Sequence, residues 1–229
     1  MKFHNITTAD IMNGDGLRTV LWLSGCEMKC KGCQNPQTWD PDDGVEFDDI
    51  AKEELFSKLS EDYIAGITFS GGHPLHEANC QGVLSLIKEI REKFPNKNIW
   101  LYTGYTLEDV ILKKLIHPDD EIAALRYDII KNCDVIVDGS FIESKLDANY
   151  HWAGSTNQKV IDIKPTFENI DLNKVVDLYN DNSEDTKPEI MKSFEAYQEE
   201  SERCMRKNHI IRASRVFKYI LDNVVLHNT

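Results

Sequence analysis

The chain has 229 residues, enough for one domain with a hydrophobic core of its own and an appendage. Acidic residues outnumber basic ones by 39 to 26, and the net charge of −13 argues against binding to nucleic acid or to an anionic membrane surface. No apolar run approaches the roughly 20 residues of a membrane-spanning helix, and the N-terminal residues lack the apolar core of a signal peptide. We therefore expect a cytoplasmic protein whose thiols stay reduced.

Short apolar strands alternate with amphipathic helices between residues 18 and 163. Strands are predicted at Arg18–Ser24, Gly66–Ser70, Asn98–Thr103, Asp134–Asp138 and Lys159–Ile163. Helices are predicted at Asp48–Leu59, at Leu75–Phe94 and on both sides of a turn at residues 117–120. This alternation predicts an α/β fold with a mostly parallel sheet.

The C-terminal part of the chain differs in composition from the part before it. We divide the chain into a domain at residues 1–164 and an extension at residues 165–229. Residues 180–188 are polar and helix-breaking, which is typical of a linker. After this linker, helices are predicted at Glu189–Lys207 and Asn208–Val225. The extension is expected to pack as a small helical appendage, and the alternative is that it docks a partner or mediates dimerisation.

Three cysteines follow the first predicted strand within residues 24–35, a segment that we call the cysteine loop. Cys26, Cys30 and Cys33 have the spacing C-x3-C-x2-C. Thiolates of this kind hold iron–sulfur clusters, and three of them leave one iron of a four-iron cluster open to a small molecule. A structural zinc ion would need a fourth nearby Cys or His, and a disulfide framework does not suit a chain of this size without a secretory signal. The spacing favours a cluster over zinc, and zinc over unligated thiols.

The other cysteines are scattered singly along the chain. Such isolated residues are by default buried apolar thiols. We make this prediction for Cys80, Cys133 and Cys204.

Glycines and polar residues follow the ends of four predicted strands. The first strand leads into the cysteine loop, and the next three lead into Ser70-Gly71-Gly72-His73, Thr103-Gly104-Tyr105 and Asp138-Gly139. Right-handed crossovers bring the carboxyl ends of parallel strands to one edge of the sheet, where such folds bind ligands. Any one of these glycines alone is an ordinary turn signal, but their recurrence at the edge that holds the cysteines predicts a shared binding cleft.

These motifs resemble those of the radical S-adenosylmethionine (SAM) superfamily, in which the three cysteines follow the first strand and a segment like T-F-S-G-G-H-P-L follows the second. More closely, the chain resembles the activating proteins of anaerobic ribonucleoside-triphosphate reductases. Segments typical of that family occur in order at residues 10–18, 34–39, 100–106, 134–142 and 152–158. The resemblance runs from about residue 1 to about residue 163, and it implies an incomplete (β/α) barrel of the radical SAM type.

The resemblance implies a cofactor and a reaction. Cys26, Cys30 and Cys33 would hold a 4Fe-4S cluster whose open iron binds the amino and carboxylate groups of SAM. An electron from a donor such as a flavodoxin would then cleave SAM, and the resulting 5′-deoxyadenosyl radical would take a hydrogen atom from a glycine in the large subunit of anaerobic ribonucleotide reductase. The protein would supply positioning and exclude solvent, without a catalytic side chain. The residues implied to lie against SAM are Gly32, Cys33, Gln34, Ser70, Gly71, Gly72 and His73.

Three polar residues in the motifs have alternative interpretations. His73 stands where activators of this type often have an acidic residue; as a neutral imidazole it can accept a hydrogen bond from the SAM ammonium, or backbone carbonyls accept it instead. Arg18 is expected to pair with an acid at the surface, with the SAM carboxylate as its alternative partner. Asp138 is expected to bind the SAM ribose or a cation, or else to cap a helix.

Two other functions compete with activation of the reductase. One is activation of another glycyl-radical enzyme, such as pyruvate formate-lyase, and the other is a zinc-binding adaptor without enzymatic activity. The ordered set of later motifs favours the reductase activator.

Overall fold

The computed structural model describes residues 1–169. The strands are β1 Lys2–Asp10, β2 Arg18–Leu23, β3 Val45–Glu46, β4 Gly66–Gly71, β5 Asn98–Tyr102, β6 Val135–Asp138 and β7 Lys159–Asp162. The helices are α1 Asp49–Ser60, α2 Glu77–Lys93, α3 Leu107–Ile116, α4 Glu121–Lys131 and α5 Ile163–Asn169, with 3-10 turns at Pro36–Thr38 and Glu143–Lys145. The predicted linker at residues 180–188 and the two helices predicted after it lie outside the described residues, and the domain division stays a prediction.

The strands form one seven-stranded sheet in the order β3-β1-β2-β4-β5-β6-β7. The four central strands are parallel, as predicted. The outer pairings β1–β2, β1–β3 and β6–β7 are antiparallel. The α/β class is therefore confirmed, but the sheet is mixed and not mostly parallel. The incomplete barrel stays a prediction.

The antiparallel pairings have a topological reason. A parallel neighbour needs a crossover of a dozen or more residues, usually a helix. The short segment 11–17 joins β1 to β2, and the segment between β6 and β7 contains only a 3-10 turn. Neither connection supplies a crossover helix, so the chain returns antiparallel at both ends of the central sheet.

Within residues 1–169, the elements predicted from the sequence lie within two residues of the observed ones, but β1, β3 and the short helix α5 were missed. β1 is rich in threonine and charged residues, and Ile6 is its only buried side chain. β3 has two residues, both exposed. Neither strand carries the apolar pattern on which a strand prediction depends.

The helices cover one face of the sheet with a single apolar core. Phe69 of β4 and Leu101 of β5 are buried against side chains such as Leu55 of α1, Ile87 of α2 and Ile130 of α4. Each fully buried side chain of this size stabilises the fold by about 1.5–3 kcal/mol relative to exposure. A smaller cluster lies on strands β5 and β6 and comprises Trp100, Val135 and Val137, with Trp152 packed against it. No helix within residues 1–169 is long and apolar enough to cross a membrane.

Arg18 is buried at the start of β2, and its expected pairing with a surface acid is wrong. Its Nε donates to Thr68 Oγ1 at 2.6 Å, its Nη1 to Asn98 Oδ1 at 2.7 Å, and its Nη2 to the Ile67 carbonyl at 2.6 Å. The residue lies at the opposite end of β2 from the cysteine loop, so its place does not suit contact with the SAM carboxylate either. Burial lowers the pKa of the guanidinium to about 10, which leaves it charged at neutral pH.

We expect Arg18→Met to lower the free energy of unfolding by about 3 kcal/mol or more, because each buried acceptor that loses its donor costs about 1–3 kcal/mol. Urea denaturation followed by circular dichroism measures the change. The matched control is Lys93→Met, whose side chain is 54% exposed, and we expect it to cost less than about 1 kcal/mol. Equal losses for both variants would contradict this role of Arg18.

Candidate functional site

The cysteine loop follows β2 and carries three free, partly exposed thiols, those of Cys26, Cys30 and Cys33. Its first part is tied down by backbone bonds, since the N–H groups of Gly25 and Cys26 donate to the carbonyls of Thr38 and Trp39 at 2.8 and 3.0 Å. The amide of Cys33 donates to the Cys30 carbonyl at 3.1 Å, which closes a tight turn. The backbone therefore holds all three cysteines in one compact loop.

The donor set of this loop fits an iron–sulfur cluster. Cysteine thiolates are the ligands that such clusters use, and the sulfur of Cys33 already accepts the N–H of Asn35 at 3.3 Å. Burial raises the pKa of the Cys26 thiol, so iron binding there must displace a proton. Within residues 1–169, no three His, Cys, Asp or Glu side chains form a group that could hold a single metal ion.

The glycine pair at the end of β4, Gly71 and Gly72, lets this strand end approach the cysteine loop. The amide of Gly72 donates to the Leu23 carbonyl and that of His73 to the Gly25 carbonyl, both at 2.7 Å. A Cβ on Gly72 would lie 2.7 Å from the Gly25 oxygen and 2.8 Å from the Leu23 oxygen, so a larger residue does not fit without displacing backbone. Close approach of two backbones explains the glycine at this position.

The ends of β5 and β6 also contact the cysteine loop. Met28 packs against Gly104, where an added Cβ would lie 2.4 Å from the Met28 Cγ. Ser140, which follows β6, lies with its Oγ 3.0 Å from the Gly104 carbonyl and 3.5 Å from the Met28 sulfur. Residues after four strand ends therefore meet at one edge of the sheet, as the sequence predicted.

Glu27 lies between two of the cysteines and contacts the ends of β4 and β5. Its Oε1 is 3.0 Å from Nδ1 of His73 and accepts a hydrogen bond from the Tyr105 hydroxyl. Nε2 of His73 is 2.8 Å from Thr103 Oγ1. Arg126 of α4 lies with its guanidinium carbon 4.8 Å from the centre of the Tyr105 ring. A connected polar network thus joins the cysteine loop to the sheet.

The network keeps the Glu27 carboxylate ionised. Burial alone would raise its pKa, but the contacts with His73 and with the Tyr105 hydroxyl outweigh burial and lower the pKa to about 2. Burial and the bond to Glu27 both raise the pKa of Tyr105, so this phenol stays protonated and continues to donate. The side chain of His73 is only 2% exposed.

A second polar cluster lies beside the site, at the end of β6. Oδ2 of Asp138 accepts the N–H of Leu107, the first residue of α3, at 2.9 Å, next to the N-cap Thr106, whose side chain accepts the N–H of Asp109. Glu108 is 2% exposed and lies 3.0 Å from Nζ of Lys159. Burial, and then the nearby Glu108 carboxylate, raise the pKa of Asp138 to about 7. Of the two roles expected for Asp138, the contacts support helix capping.

The structure brings together some of the residues predicted to line the site. Ser70, Gly71, Gly72 and His73 lie beside the start of the cysteine loop through the pairing of β4 with β2. Gly32 and Gln34 are exposed in the later part of the loop, and a Cβ on Gly32 would lie 2.9 Å from the Glu143 carboxylate.

Sequence analysis missed several residues that shape the site: Glu27, Met28, Arg126, Ser140 and Glu143. Glu27 and Met28 lie in the cysteine loop and Ser140 follows Asp138-Gly139, so the signal in these segments located all three residues without assigning them a role. The others are long side chains whose partners are distant in the sequence.

The comparison with known families matches this site. The sequence profile of the family described as 4Fe-4S single cluster domain fits residues 12–161, which include the cysteine loop and the four strand ends. The fold and the three-thiol loop therefore define an iron–sulfur protein of this class.

Several curated relatives have the same function in their names. The chain is 36% identical over 162 residues to the anaerobic ribonucleoside-triphosphate reductase-activating protein of Vibrio cholerae and 36% identical over 162 residues to that of Escherichia coli, in each case over 70% of this chain and 97% of the relative. It is 38% identical over 160 residues to the protein of the same name from Enterobacteria phage T4, over 70% of this chain and 93% of the relative. The chain belongs to the family of anaerobic ribonucleoside-triphosphate reductase-activating proteins.

We expect Gly72→Ala to lower the free energy of unfolding by about 1–3 kcal/mol, the usual cost of inserting atoms into a tightly packed region. We also expect less iron to be retained per chain after anaerobic reconstitution, because the two backbones that frame the loop must separate. Gly82→Ala in α2 is the control, since the nearest atoms to its added Cβ belong to the flexible Met1 side chain and not to backbone. Iron retention equal to that of the wild type in Gly72→Ala would contradict the close-approach argument.

Stability should depend on pH through Asp138. Its pKa is raised to about 7 in the folded chain, against about 3.9 in the unfolded one. The protonated carboxyl therefore contributes stability that is fully present below the unfolded pKa and is lost as the pH rises through about 7. We expect Asp138→Asn, which mimics the protonated form, to gain stability relative to the wild type between pH 4 and pH 8. Urea denaturation over this series measures the difference, and a difference that does not change with pH would be inconsistent with this assignment.

Proposed function

We propose that this protein activates an anaerobic ribonucleoside-triphosphate reductase by generating a glycyl radical on its large subunit, with a 4Fe-4S cluster and SAM as cofactors. The observation that carries the proposal is the loop of three free, partly exposed thiols at the edge where four strand ends meet. Three protein ligands leave one iron of the cluster open for SAM. The names of the relatives support the reductase as the partner.

Cys26, Cys30 and Cys33 would hold the cluster, which when bound and reduced would supply one electron for cleavage of a C–S bond of SAM to methionine and a 5′-deoxyadenosyl radical. That radical would take a hydrogen atom from the reductase glycine and leave as 5′-deoxyadenosine. The remaining chain binds SAM and excludes water, without a side chain that acts as acid, base or nucleophile.

Two segments of the chain are proposed to hold SAM. Gly32, Cys33 and Gln34 form one wall in the later part of the cysteine loop. Ser70–His73 form the other, in which Ser70, Gly71 and Gly72 present backbone groups to the SAM ammonium. Backbone carbonyls are favoured over the His73 ring as acceptors for the SAM ammonium, because both ring nitrogens already lie within 3.0 Å of Glu27 and Thr103.

The partners follow from the chemistry and from the charge. The reaction consumes one electron, so a donor such as a flavodoxin is required. The net charge of −13 argues against nucleic acid or an anionic membrane as a partner. We place the reaction in the cytoplasm, where thiols stay reduced.

The test is anaerobic incubation of the cluster-reconstituted full chain with SAM, dithionite and the large subunit of an anaerobic reductase. We expect a glycine-centred doublet in the electron paramagnetic resonance (EPR) spectrum. In Cys30→Ala this signal should fall by more than about a hundredfold, because loss of a ligand exceeds the 10–100-fold cost of changing an outer-shell partner.

The matched control is Cys133→Ala, which removes a buried thiol outside the cysteine loop. We expect this variant to give the wild-type radical yield. A doublet that survives in Cys30→Ala would refute the role of the loop. A cluster-loaded wild-type protein that yields no doublet with the reductase but activates another glycyl-radical enzyme would refute the proposed partner.

A further inference from the structure

The contact between Glu27 and His73 crosses from the cysteine loop to the end of β4. Glu27 lies between Cys26 and Cys30, and its Oε1 is 3.0 Å from Nδ1 of His73. The same oxygen accepts the hydroxyl of Tyr105, and Arg126 Nη2 lies 3.9 Å away. The carboxylate is thus held by groups from three separate elements.

Thr103 Oγ1 and Glu27 Oε1 lie against the two nitrogens of the His73 ring. Thr103 Oγ1 accepts the N–H of Tyr105 at 3.0 Å, so its own proton is available for Nε2 of His73 at 2.8 Å. A neutral ring that accepts at Nε2 carries its proton on Nδ1, which faces Glu27. The ring then links Thr103 at the end of β5 to Glu27 in the cysteine loop.

The backbone of His73 is anchored as firmly as its ring. Its N–H donates to the Gly25 carbonyl at 2.7 Å, and its carbonyl accepts from Asn79 Nδ2 at 3.1 Å. The ring stacks edge-on against Tyr105, with ring centres 4.6 Å apart. A buried ring whose Nε2 is 2.8 Å from Thr103 Oγ1 and whose Nδ1 lies 3.0 Å from Glu27 Oε1 suits the positioning of a neighbour.

We propose that His73 is a positioning residue that fixes the Cys26–Cys30 part of the cysteine loop through Glu27, and that its ring does not contact SAM. Both side chains are needed, because Glu27 belongs to the loop and His73 belongs to the sheet that anchors it. Cysteine ligands on a mobile loop lose a cluster more readily than ligands whose loop is held in place. The inference rests on the proposed cluster site.

Two substitutions of His73 separate the two ring nitrogens. The amide of Asn in His73→Asn reaches the position of Nδ1 and can still donate to Glu27. The amide of Gln in His73→Gln reaches the position of Nε2 and keeps only the Thr103 contact. Glu27→Ala removes the other partner, and the double variant His73→Gln with Glu27→Ala completes a mutant cycle.

The experiment uses the full chain, reconstituted anaerobically, and measures the rate at which an iron chelator removes the cluster. We expect His73→Gln, Glu27→Ala and the double variant to accelerate the loss alike, by about fivefold, since residues in one network are not additive. His73→Asn should stay within about twofold of the wild type, because the donor to Glu27 is kept.

Two further readouts separate positioning from general stability and from SAM binding. Ile87→Val in the core of α2 lowers stability by about 0.5–1.5 kcal/mol and should leave the chelator rate and the EPR line shape of the reduced cluster unchanged. His73→Gln and Glu27→Ala should change that line shape in the same way. SAM affinity in His73→Asn should equal that of the wild type.

Several outcomes would overturn the inference. One is an additive effect in the double variant, and another is faster loss in His73→Gln with a wild-type rate in Glu27→Ala. Weaker SAM binding in both His73 variants but not in Glu27→Ala would mean that the ring contacts SAM. If His73→Gln and Glu27→Ala fail to load a cluster, full loading of His73→Asn supports the inference, and its failure to load contradicts it. These measurements do not use the reductase, so they remain decisive if no glycyl radical forms.

Discussion

The close approach of β4 to the start of the cysteine loop is the constraint on which the rest of the site depends. The amides of Gly72 and His73 bond to the carbonyls of Leu23 and Gly25 at 2.7 Å, and there is no room for a Cβ on Gly72. Because this contact is made by backbone, it fixes where the loop leaves the sheet before any side chain contributes. The positions of the thiols and of Glu27 depend on the direction in which the loop leaves the sheet.

Apolar and polar interactions have separate places in this fold. The helical face of the sheet is held by a continuous core of side chains such as Phe69 and Ile87. The carboxyl edge is held by hydrogen bonds and charge, with Glu27 linked to His73 and Tyr105. Polar contacts are directional, so this network defines one geometry for the loop more sharply than apolar packing does.

Much of the fold was predictable because it depends on local patterns. The central strands, the helices and the turn at residues 117–120 follow from apolar periodicity and helix-breaking residues, which need no knowledge of distant contacts. β1 and β3 were missed because their pairing partners, and not their own sequences, make them strands. Arg18 was assigned to the surface because charged side chains are usually exposed, whereas its acceptors come from residues about 50 and 80 positions away.

For the site, local patterns were enough to predict the ligands and the edge: the spacing of Cys26, Cys30 and Cys33, and the glycines at the ends of the strands that meet there. How the loop is held became visible only in the packed fold. Glu27 finds His73 and Tyr105 across 46 and 78 positions of sequence, and no periodicity in either segment encodes such a pairing. Local sequence fixes which groups are present, and the packing of β4, β5 and α4 against one another decides which of them touch.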